Sequence, residues 1–355
     1  MLAYRLVEWE QPPQLVEVPV PTPGPGQVLI RVAGNGLCHS DVGMSALPGA
    51  IAEALGWRAP FTLGHEIAGW IAEVGAGTIH GEQALAVGDA VAVAAPSSCG
   101  TCDFCIRGRD SACAAGVVGR GFGRDGGLAS YVLVDSTRPI VKLDTLDPIV
   151  AAPLTDAGAT SYHGVKRVLA RLEPGSTAVV IGAGGLGSFA IQFLRALSPA
   201  TVIAVDTNES RLAYARELGA HHTVVGVTKS TAAELRDFTA GRGAEAVLDF
   251  VGIDHTISAG IKTVRAFGAF ALIGSSGGTF TRPWYGGLPR DADVFHFQGS
   301  AIADAHDVIA LAEAGRIRSD VDLFDLADVA GAYARMESGT LRGRAVVRPP
   351  SGRSG

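Results

Sequence analysis

The spacing of hydrophobic positions changes near residue 175 of this chain. Before it, short apolar runs such as 27–33 and 90–94 are separated by Pro and Gly, which predicts a mostly β region. After it, buried-type apolar runs alternate with segments whose apolar residues share one helical face, such as 209–218. We expect strands at 177–182, 201–206, 222–226, 245–250, 269–274 and 294–301. This alternation predicts a parallel sheet covered by helices.

The end of the chain departs from that alternation. Beyond about residue 302, a helix at 304–314 and a last strand at 344–348 are expected. A chain of 355 residues is long for one hydrophobic core, so two domains are expected. We expect the tail to pack back on the first domain.

Composition and charge exclude several classes of function. The net charge of −6 gives no general attraction for nucleic acid or anionic membranes. The N-terminus has no apolar run of signal-peptide length. The most apolar stretch, 177–194, is interrupted by four glycines, which argues against a membrane span. We therefore expect a cytoplasmic protein that binds neither nucleic acid nor membrane.

A glycine-rich turn follows the first strand of the second half. It consists of Gly182, Gly184, Gly185, Leu186 and Gly187. Such glycines permit a tight turn, close approach of a pyrophosphate to backbone N–H groups, and close packing of the next helix. The second strand ends at Asp206, whose carboxylate suits the ribose hydroxyls of NAD and repels the 2′-phosphate of NADP. A glycine turn without a nucleotide is the alternative, but the combination favours NAD as cofactor.

Four of the five cysteines are crowded into fifteen residues. They are Cys99, Cys102, Cys105 and Cys113, called the cysteine lobe below. Four thiolates can complete a tetrahedral shell around Zn²⁺ and leave no position for a substrate, so this metal would be structural. Unrelated reduced cysteines are the alternative, which their spacing disfavours.

Cys38, His65 and Glu66 are weaker candidates when they are taken singly. A lone Cys is more often a small buried hydrophobe, and a lone His is more often a core or surface residue. Gly69 stands where a metalloprotease helix would need its second His, so that motif is excluded. The residues alone leave the role of these three side chains open.

Several motifs resemble those of the zinc-containing alcohol dehydrogenases of the medium-chain dehydrogenase/reductase family, in the family's order and along nearly the whole chain. They are 36–41 (GLCHSD), 64–66 (GHE), the cysteine lobe, 153–158 (PLTDAG), the glycine turn and 343–344 (GR). The chain is especially similar to bacterial secondary-alcohol dehydrogenases, in which an Asp replaces a cysteine ligand. The resemblance implies an α/β fold with a GroES-like, mostly β catalytic domain and a Rossmann doubly wound domain. We expect the first over 1–157, completed by 303–355, and the second over 158–302.

The resemblance also implies a second, catalytic zinc. Its ligands would be Cys38, His65 and Asp156, with substrate oxygen or water in the fourth position and Glu66 sometimes entering. One thiolate, one imidazole and one carboxylate with an open position suit zinc catalysis in general. Asp41 would orient His65. For Asp156, an acid favoured by a helix N-terminus is the alternative from the residues alone.

Further roles follow from the same resemblance. His39 and Arg344 would reach the cofactor pyrophosphate, and Thr160 would lie near the nicotinamide. Ser40 would be the first proton carrier, with a plain loop hydroxyl as the alternative. Gly43 stands where relatives often end the proton relay with a His, so either His39 or water would replace that step or proton release would be slower.

The substrate pocket is expected to be roomy. Ala94 and Ala95 stand where relatives often carry an aromatic, which hints at a bulky or aromatic carbonyl substrate. One wall would be 44–61 with Trp57, and another would come from Trp284, Tyr285 and Phe297; ordinary core or subunit contacts are the alternative.

The expected activity is hydride transfer between NAD and an alcohol of secondary, bulky or aromatic type, or the corresponding carbonyl. A polyol or amino-alcohol dehydrogenase is a rival within enzymes. A zinc-stabilised NAD-binding sensor or scaffold is a rival of another class, and a zinc-free quinone reductase conflicts with both metal signatures. The family resemblance suggests a homodimer or homotetramer.

Overall fold

A computed structural model describes residues 1–78, 84–283 and 285–350 of the chain. The chain divides into two compact units, Met1–Ala159 with Gly299–Gly355, and Thr160–Gln298. We call them the first and the second unit. Their boundaries lie near the expected domain limits of 157/158 and 302/303.

The described residues form eighteen strands. In chain order they are β1 (Leu2–Leu6), β2 (Gln14–Glu17), β3 (Val28–Gly36), β4 (Phe61–Thr62), β5 (Glu66–Val74), β6 (Ala90–Val93), β7 (Gly119–Arg120), β8 (Gly123–Arg124), β9 (Tyr131–Val134), β10 (Ile140–Lys142), β11 (Thr177–Ile181), β12 (Thr201–Asp206), β13 (His222–Val225), β14 (Ala244–Asp249), β15 (Val264–Leu272), β16 (Asp293–His296), β17 (Val321–Asp325) and β18 (Arg344–Arg348).

Eleven α-helices and five 3₁₀ turns connect the described strands. The helices are α1 (His39–Ser45), α2 (Gly49–Ala54), α3 (Asp103–Ile106), α4 (Pro148–Ala151), α5 (Ala157–Val168), α6 (Gly187–Leu197), α7 (Glu209–Glu217), α8 (Thr231–Asp237), α9 (Asp254–Thr263), α10 (Ile302–Glu313) and α11 (Val329–Glu337). The 3₁₀ turns are Asp110–Ala112, Ala114–Val117, Ala152–Leu154, Leu169–Arg171 and Leu326–Asp328. No helix in the described ranges is both long and apolar enough to cross a membrane.

The first unit is mostly β and is built around a seven-stranded sheet. Its order is β10-β6-β5-β3-β18-β17, and β9 also pairs with β3. Strand β3 pairs antiparallel with β5 in a register that sets Gly36 opposite Glu66. The end of β3 therefore lies beside the start of β5, which brings Cys38 and His65 to the same edge of the sheet. Strand β18 pairs with β3 on its other side, so the tail completes this sheet.

The second unit contains a six-stranded sheet in the order β13-β12-β11-β14-β15-β16. Every adjacent pair is parallel, which confirms the predicted parallel sheet. All five residues of β11 (TAVVI) are buried, as a central strand covered on both sides requires. The glycine-rich turn lies at the carboxyl end of β11, where open α/β sheets bind their ligands.

Two parts of the sequence prediction need correction. The strand expected at 294–301 is shorter and earlier, since β16 covers only Asp293–His296. The tail contains β17 and α11 in addition to the expected helix and last strand. Strand β17 pairs in parallel with β18 at the sheet edge and has exposed positions, so its hydrophobic signal is weak.

Candidate metal and cofactor sites

Cys38 lies between β3 and helix α1, at the N-cap position of that helix. Its backbone N–H donates a 3.1 Å hydrogen bond to Asp41 Oδ2, three residues further on. This is one half of a capping box, in which the third helical side chain satisfies the N-cap amide. The cap fixes the backbone of Cys38 and holds Asp41 buried beneath the turn.

His65 is the centre of a polar cluster at the start of β5. Its Nδ1 lies 3.1 Å from the other oxygen of Asp41, Oδ1. Its Nε2 lies 3.3 Å from Asp156 Oδ2 and 3.4 Å from Ser40 Oγ. Asp41 thus orients the ring through Nδ1 and leaves Nε2 facing Asp156 and Ser40. In zinc sites, a carboxylate hydrogen-bonded to a ligating His orients the ring in this way.

The electrostatics around His65 favour positive charge. Burial alone opposes the charged imidazolium, but the charge of Asp41 and hydrogen bonds to Asp156, Asp41 and Cys38 outweigh it. The pKa of His65 is therefore raised well above its usual value.

Glu66 is fully buried next to His65. Its Oε1 accepts a 2.7 Å hydrogen bond from Arg344 Nη2 and a weaker one from the N–H of Ala157. Among the described residues its Oε2 has no hydrogen-bond partner. Burial raises the pKa of Glu66 to about 7, although Arg344 acts in the opposite direction. A Cβ at residue 36 would lie 1.9 Å from Oε2, so Gly36 makes the space for this carboxylate.

The side chains of Cys38, His65, Glu66 and Asp156 each offer one ligand atom, and these atoms all lie within 4.8 Å of one another. A thiolate, an imidazole and carboxylates form a donor set that suits Zn²⁺. The partnerless Oε2 of Glu66 is a buried acceptor that a cation would satisfy. The residues present therefore fit a catalytic zinc.

Asp156 also fits the alternative interpretation, an acidic residue favoured by a helix N-terminus. It immediately precedes helix α5, where a negative side chain interacts well with the helix dipole. Because its carboxylate also lies against His65 Nε2, the two interpretations are compatible.

The cysteine lobe brings its four sulfur atoms within 4.8 Å of one another. Cys102 Sγ lies 3.4 Å from Cys105 Sγ and 3.9 Å from Cys113 Sγ. Hydrogen bonds from the backbone N–H and hydroxyl of Thr101 and from Cys102 lower the pKa of Cys99 to about 6. Four converging sulfurs and a thiol that ionises readily fit a structural zinc.

The glycine turn has the close contacts that its glycines predict. Gly182 has a φ of +88°, which an L-residue adopts only with strain. A Cβ at Gly187 would lie 1.8 Å from the carbonyl oxygen of Gly182, so only glycine allows α6 to start this close to the strand. The turn can therefore present backbone N–H groups to a pyrophosphate at the start of α6.

Asp206 closes this turn at the end of β12. Its Oδ2 accepts a 2.8 Å hydrogen bond from the N–H of Ala183, and its Oδ1 accepts one from the N–H of Asn208. Arg211 Nη1 lies 3.9 Å from Oδ2. Arg211 is a cation beside Asp206 that the sequence analysis did not identify. Arg211 lies in the first turn of α7. Its proximity to the carboxylate of Asp206 depends on the path of the chain into this helix and not on adjacency in sequence.

Phe122 is a second residue that the sequence analysis missed. Its ring centroid lies 4.8 Å from that of His65 and 6.0 Å from that of Trp57. Trp57, which was expected to form a pocket wall, donates a hydrogen bond to the carbonyl of Val117. Phe122 lies between two glycines, and the neighbouring strands β7 and β8 are only two residues long. The sequence around it therefore shows no hydrophobic periodicity.

The other expected wall, of Trp284, Tyr285 and Phe297, stays a prediction. Tyr285 is 83% exposed, and Phe297 packs on His163 and against Gly164. Trp284 lies outside the described residues.

The remaining predicted residues are distributed over both units. In the first unit His39 and Ser40 are exposed on the first turn of α1, and Arg344 is buried. Its Nη2 donates to the carbonyl of Leu37 as well as to Glu66. In the second unit, Thr160 is buried on α5.

Comparison with known proteins gives matches to both units. Residues 24–145 match the alcohol dehydrogenase GroES-like domain, and residues 185–314 match the zinc-binding dehydrogenase domain. An NAD-dependent alcohol dehydrogenase of Sulfurisphaera tokodaii is 36% identical, over 98% of this chain and all of the relative. A D-arabinose 1-dehydrogenase (NADP⁺) of Saccharolobus solfataricus is 32% identical, over 98% of this chain and 97% of the relative.

Among solved structures, the alcohol dehydrogenase of Aeropyrum pernix superposes with a TM-score of 0.89. It is 33% identical, and the match covers 98% of this chain and 100% of that one. The similarity therefore extends over both units.

Proposed function

Since this chain belongs to the zinc-containing alcohol dehydrogenases of the medium-chain dehydrogenase/reductase family, we propose that it interconverts a secondary or bulky alcohol and its carbonyl with NAD. It is an oxidoreductase acting on a CH–OH group. The convergence of Cys38, His65, Glu66 and Asp156 on one point carries this proposal, because a protein that only binds NAD has no need of an open metal site.

Two zinc ions per chain are part of the proposal. Cys38, His65 and Asp156 would hold the catalytic ion, Glu66 would be an alternative ligand, and the cysteine lobe would hold a structural ion. When it is bound, the catalytic ion acts as a Lewis acid that lowers the pKa of an alcohol and polarises a carbonyl.

The protein residues provide orientation and proton transfer. Asp41 holds His65 through Nδ1, so the imidazole keeps one tautomer and one direction. Ser40 Oγ lies in the same cluster and is exposed, so it would receive the alcohol proton and pass it outwards to water or to His39. Arg344 holds the carboxylate of Glu66 through a buried ion pair.

Asp206 and the glycine turn support NAD as the coenzyme. The Asp206 carboxylate would accept hydrogen bonds from the adenosine ribose, and its charge disfavours a 2′-phosphate. Arg211 partly offsets that charge, so the preference for NAD would be moderate. The family resemblance supports further cofactor contacts. His39 and Arg344 would bind the pyrophosphate, and Thr160 would lie near the nicotinamide.

The side chains around His65 support a bulky substrate. Trp57 and Phe122 offer aromatic surface beside the proposed metal site. Ala94 and Ala95 are small side chains that add little volume. A flat, apolar alcohol or ketone would therefore fit better than a polyol, which needs several polar partners. A sugar substrate is the second candidate, since one relative is a D-arabinose dehydrogenase.

The test is a direct spectrophotometric assay of the zinc-loaded enzyme. NAD⁺ reduction and NADH oxidation are followed by absorbance over secondary alcohols, aryl ketones, polyols and aldoses, with and without a chelator. We expect chelator-sensitive turnover that is greatest for bulky secondary alcohols or their ketones. Preferential turnover of aldoses would replace the substrate proposal. The sensor or scaffold would be favoured if no compound in the panel is turned over although NADH binds, and if metal analysis gives one zinc per chain.

A cytoplasmic location stays a prediction from the sequence, and a homodimer or homotetramer stays a prediction from the resemblance. Light scattering after size-exclusion chromatography measures the oligomeric state.

A further inference from the structure

A second polar feature of the first unit lies beside the cysteine lobe. It is a cavity of about 180 Å³, which we call the arginine cavity. Its lining includes Arg120, Arg124, Arg138, Asp135, Ser98 and Ser136. The volume exceeds that of a few water molecules but is below that of a drug-sized ligand site.

Arg120 is the unusual member of this lining. It is 7% exposed, and its Nη2 donates a 3.1 Å hydrogen bond to the carbonyl of Ala94. Among the residues that the structure describes, no carboxylate lies within ion-pair distance of it. Burial lowers the pKa of Arg120 to about 10, which still leaves it charged at neutral pH. A buried charge without a counter-ion is costly, so buried arginines are ordinarily paired.

The other two arginines have partners of their own. Arg124 pairs with Asp135 at 2.6 Å, and Arg138 pairs with buried Asp110 at 2.6 Å. Arg138 also hydrogen-bonds to Ser98 Oγ. Arg120 takes part in neither ion pair, although the charge of Asp135 acts favourably on it. The three arginines and these two carboxylates together leave one net positive charge at the cavity.

We propose that the arginine cavity binds a small tetrahedral oxyanion of the phosphate or sulfate class. Guanidinium groups match such anions because their N–H donors are planar, fixed and always charged. Arg120 is the main anchor, and the hydroxyls of Ser97 and Ser136 in the lining offer further donors. This site is independent of the proposed dehydrogenase chemistry.

The test is calorimetric titration of the zinc-loaded, full-length enzyme with inorganic phosphate and, separately, with sulfate. Chloride holds the ionic strength constant, because sulfate and phosphate also stabilise folded proteins without a site. We expect saturable binding of both anions. Arg120→Met removes the charged guanidinium and keeps an unbranched apolar side chain, and should weaken binding at least about tenfold.

Two further variants keep the test decisive if Arg120→Met does not fold. Asp135→Asn removes the acidic side chain of the lining at a half-exposed position, and should tighten anion binding. Arg107→Gln is the matched control, since this exposed arginine lies in the same lobe and pairs with Asp103 outside the cavity. It should leave binding unchanged.

A crystal soaked in selenate then places the anion by its anomalous signal, which is expected beside Arg120. The proposal is overturned if wild type shows no saturable binding. It is also overturned if Arg107→Gln weakens binding as much as Arg120→Met, if Asp135→Asn leaves it unchanged, or if selenate lies elsewhere.

Discussion

The carboxylate of Glu66 accepts a 2.7 Å hydrogen bond from the guanidinium of Arg344, 278 residues later in the chain. Both side chains are buried, with 0% and 8% of their side-chain surfaces exposed. The pair joins the start of β5 to the start of β18. The last strand of the chain thus holds a carboxylate that lies next to His65.

Removal of one partner of this pair is expected to be costly. Arg344→Met leaves the Glu66 carboxylate buried without its cation, and should lower the free energy of unfolding by about 3–5 kcal/mol. Urea unfolding of the zinc-loaded enzyme measures it. The double variant Glu66→Gln/Arg344→Met has no lone buried charge and should recover part of the loss. Equal stabilities of the single and double variants would contradict this interpretation.

Cys38→Ser is expected to reduce turnover while it preserves the fold. Loss of the thiolate removes a proposed metal ligand, whereas Cys38 contributes little to the core. We expect kcat to fall by more than about 100-fold, since loss of a residue that only orients a metal ligand already costs about 10–100-fold. Metal analysis should show one zinc per chain instead of two. Cys105→Ser is the matched control, which should lower thermal stability; wild-type turnover in Cys38→Ser would exclude the catalytic-zinc proposal.

Asp41→Asn tests the orientation of His65. The amide can still receive one hydrogen bond but carries no charge opposite Nδ1. Zinc affinity at the catalytic site, measured by chelator competition, should fall about 10–100-fold. Asp125→Asn changes a surface aspartate that pairs with Arg5 and should leave affinity unchanged. If the two variants behave alike, Asp41 does not position the ligand.

Coenzyme preference is expected to depend on the charge of Asp206. Asp206→Asn keeps an oxygen for the N–H of Ala183 and removes the repulsion of a 2′-phosphate. KM for NAD should rise about 10-fold or more, and discrimination against NADP should decrease. Steady-state kinetics with both coenzymes measure this change. Arg211→Gln should shift the preference in the opposite direction, towards NAD; an unchanged NAD/NADP ratio in Asp206→Asn would remove its assignment.

Glu313 at the end of α10 stabilises the loop that precedes α4. Its carboxylate accepts hydrogen bonds from the N–H groups of Asp144, Thr145 and Leu146. Burial would raise the pKa of Glu313, but these bonds lower it overall. The stabilisation is therefore present above the unfolded-state pKa and is lost as pH falls through the lower folded-state value.

Glu313→Ala should therefore lower the free energy of unfolding by about 1 kcal/mol at neutral pH. The difference from wild type should shrink in acid, as thermal melts at several pH values would show. Glu337→Ala, at the exposed end of α11, is the control and should have little effect. A difference that is constant with pH would show that the charge of Glu313 is not involved.

Local features were determined by the sequence alone. The parallel sheet followed from continuous apolar runs such as β11, since a strand buried on both faces needs apolar side chains throughout. The glycine turn followed from residues such as Gly182 and Gly187, which conformation and close contact restrict to glycine. The cysteine lobe followed from spacing, because its four ligands lie close together in the chain.

Only the tertiary structure decided the remaining relationships, because they join distant segments. The pairing of β3 with β5 brings Cys38 to His65, and Asp156 reaches them from the turn before α5. Phe122 beside His65, and the ion pair of Glu66 with Arg344, have no periodicity that a sequence could reveal. Spacing along the chain encodes local geometry, whereas contacts between distant residues depend on strand register and on packing of the whole sheet.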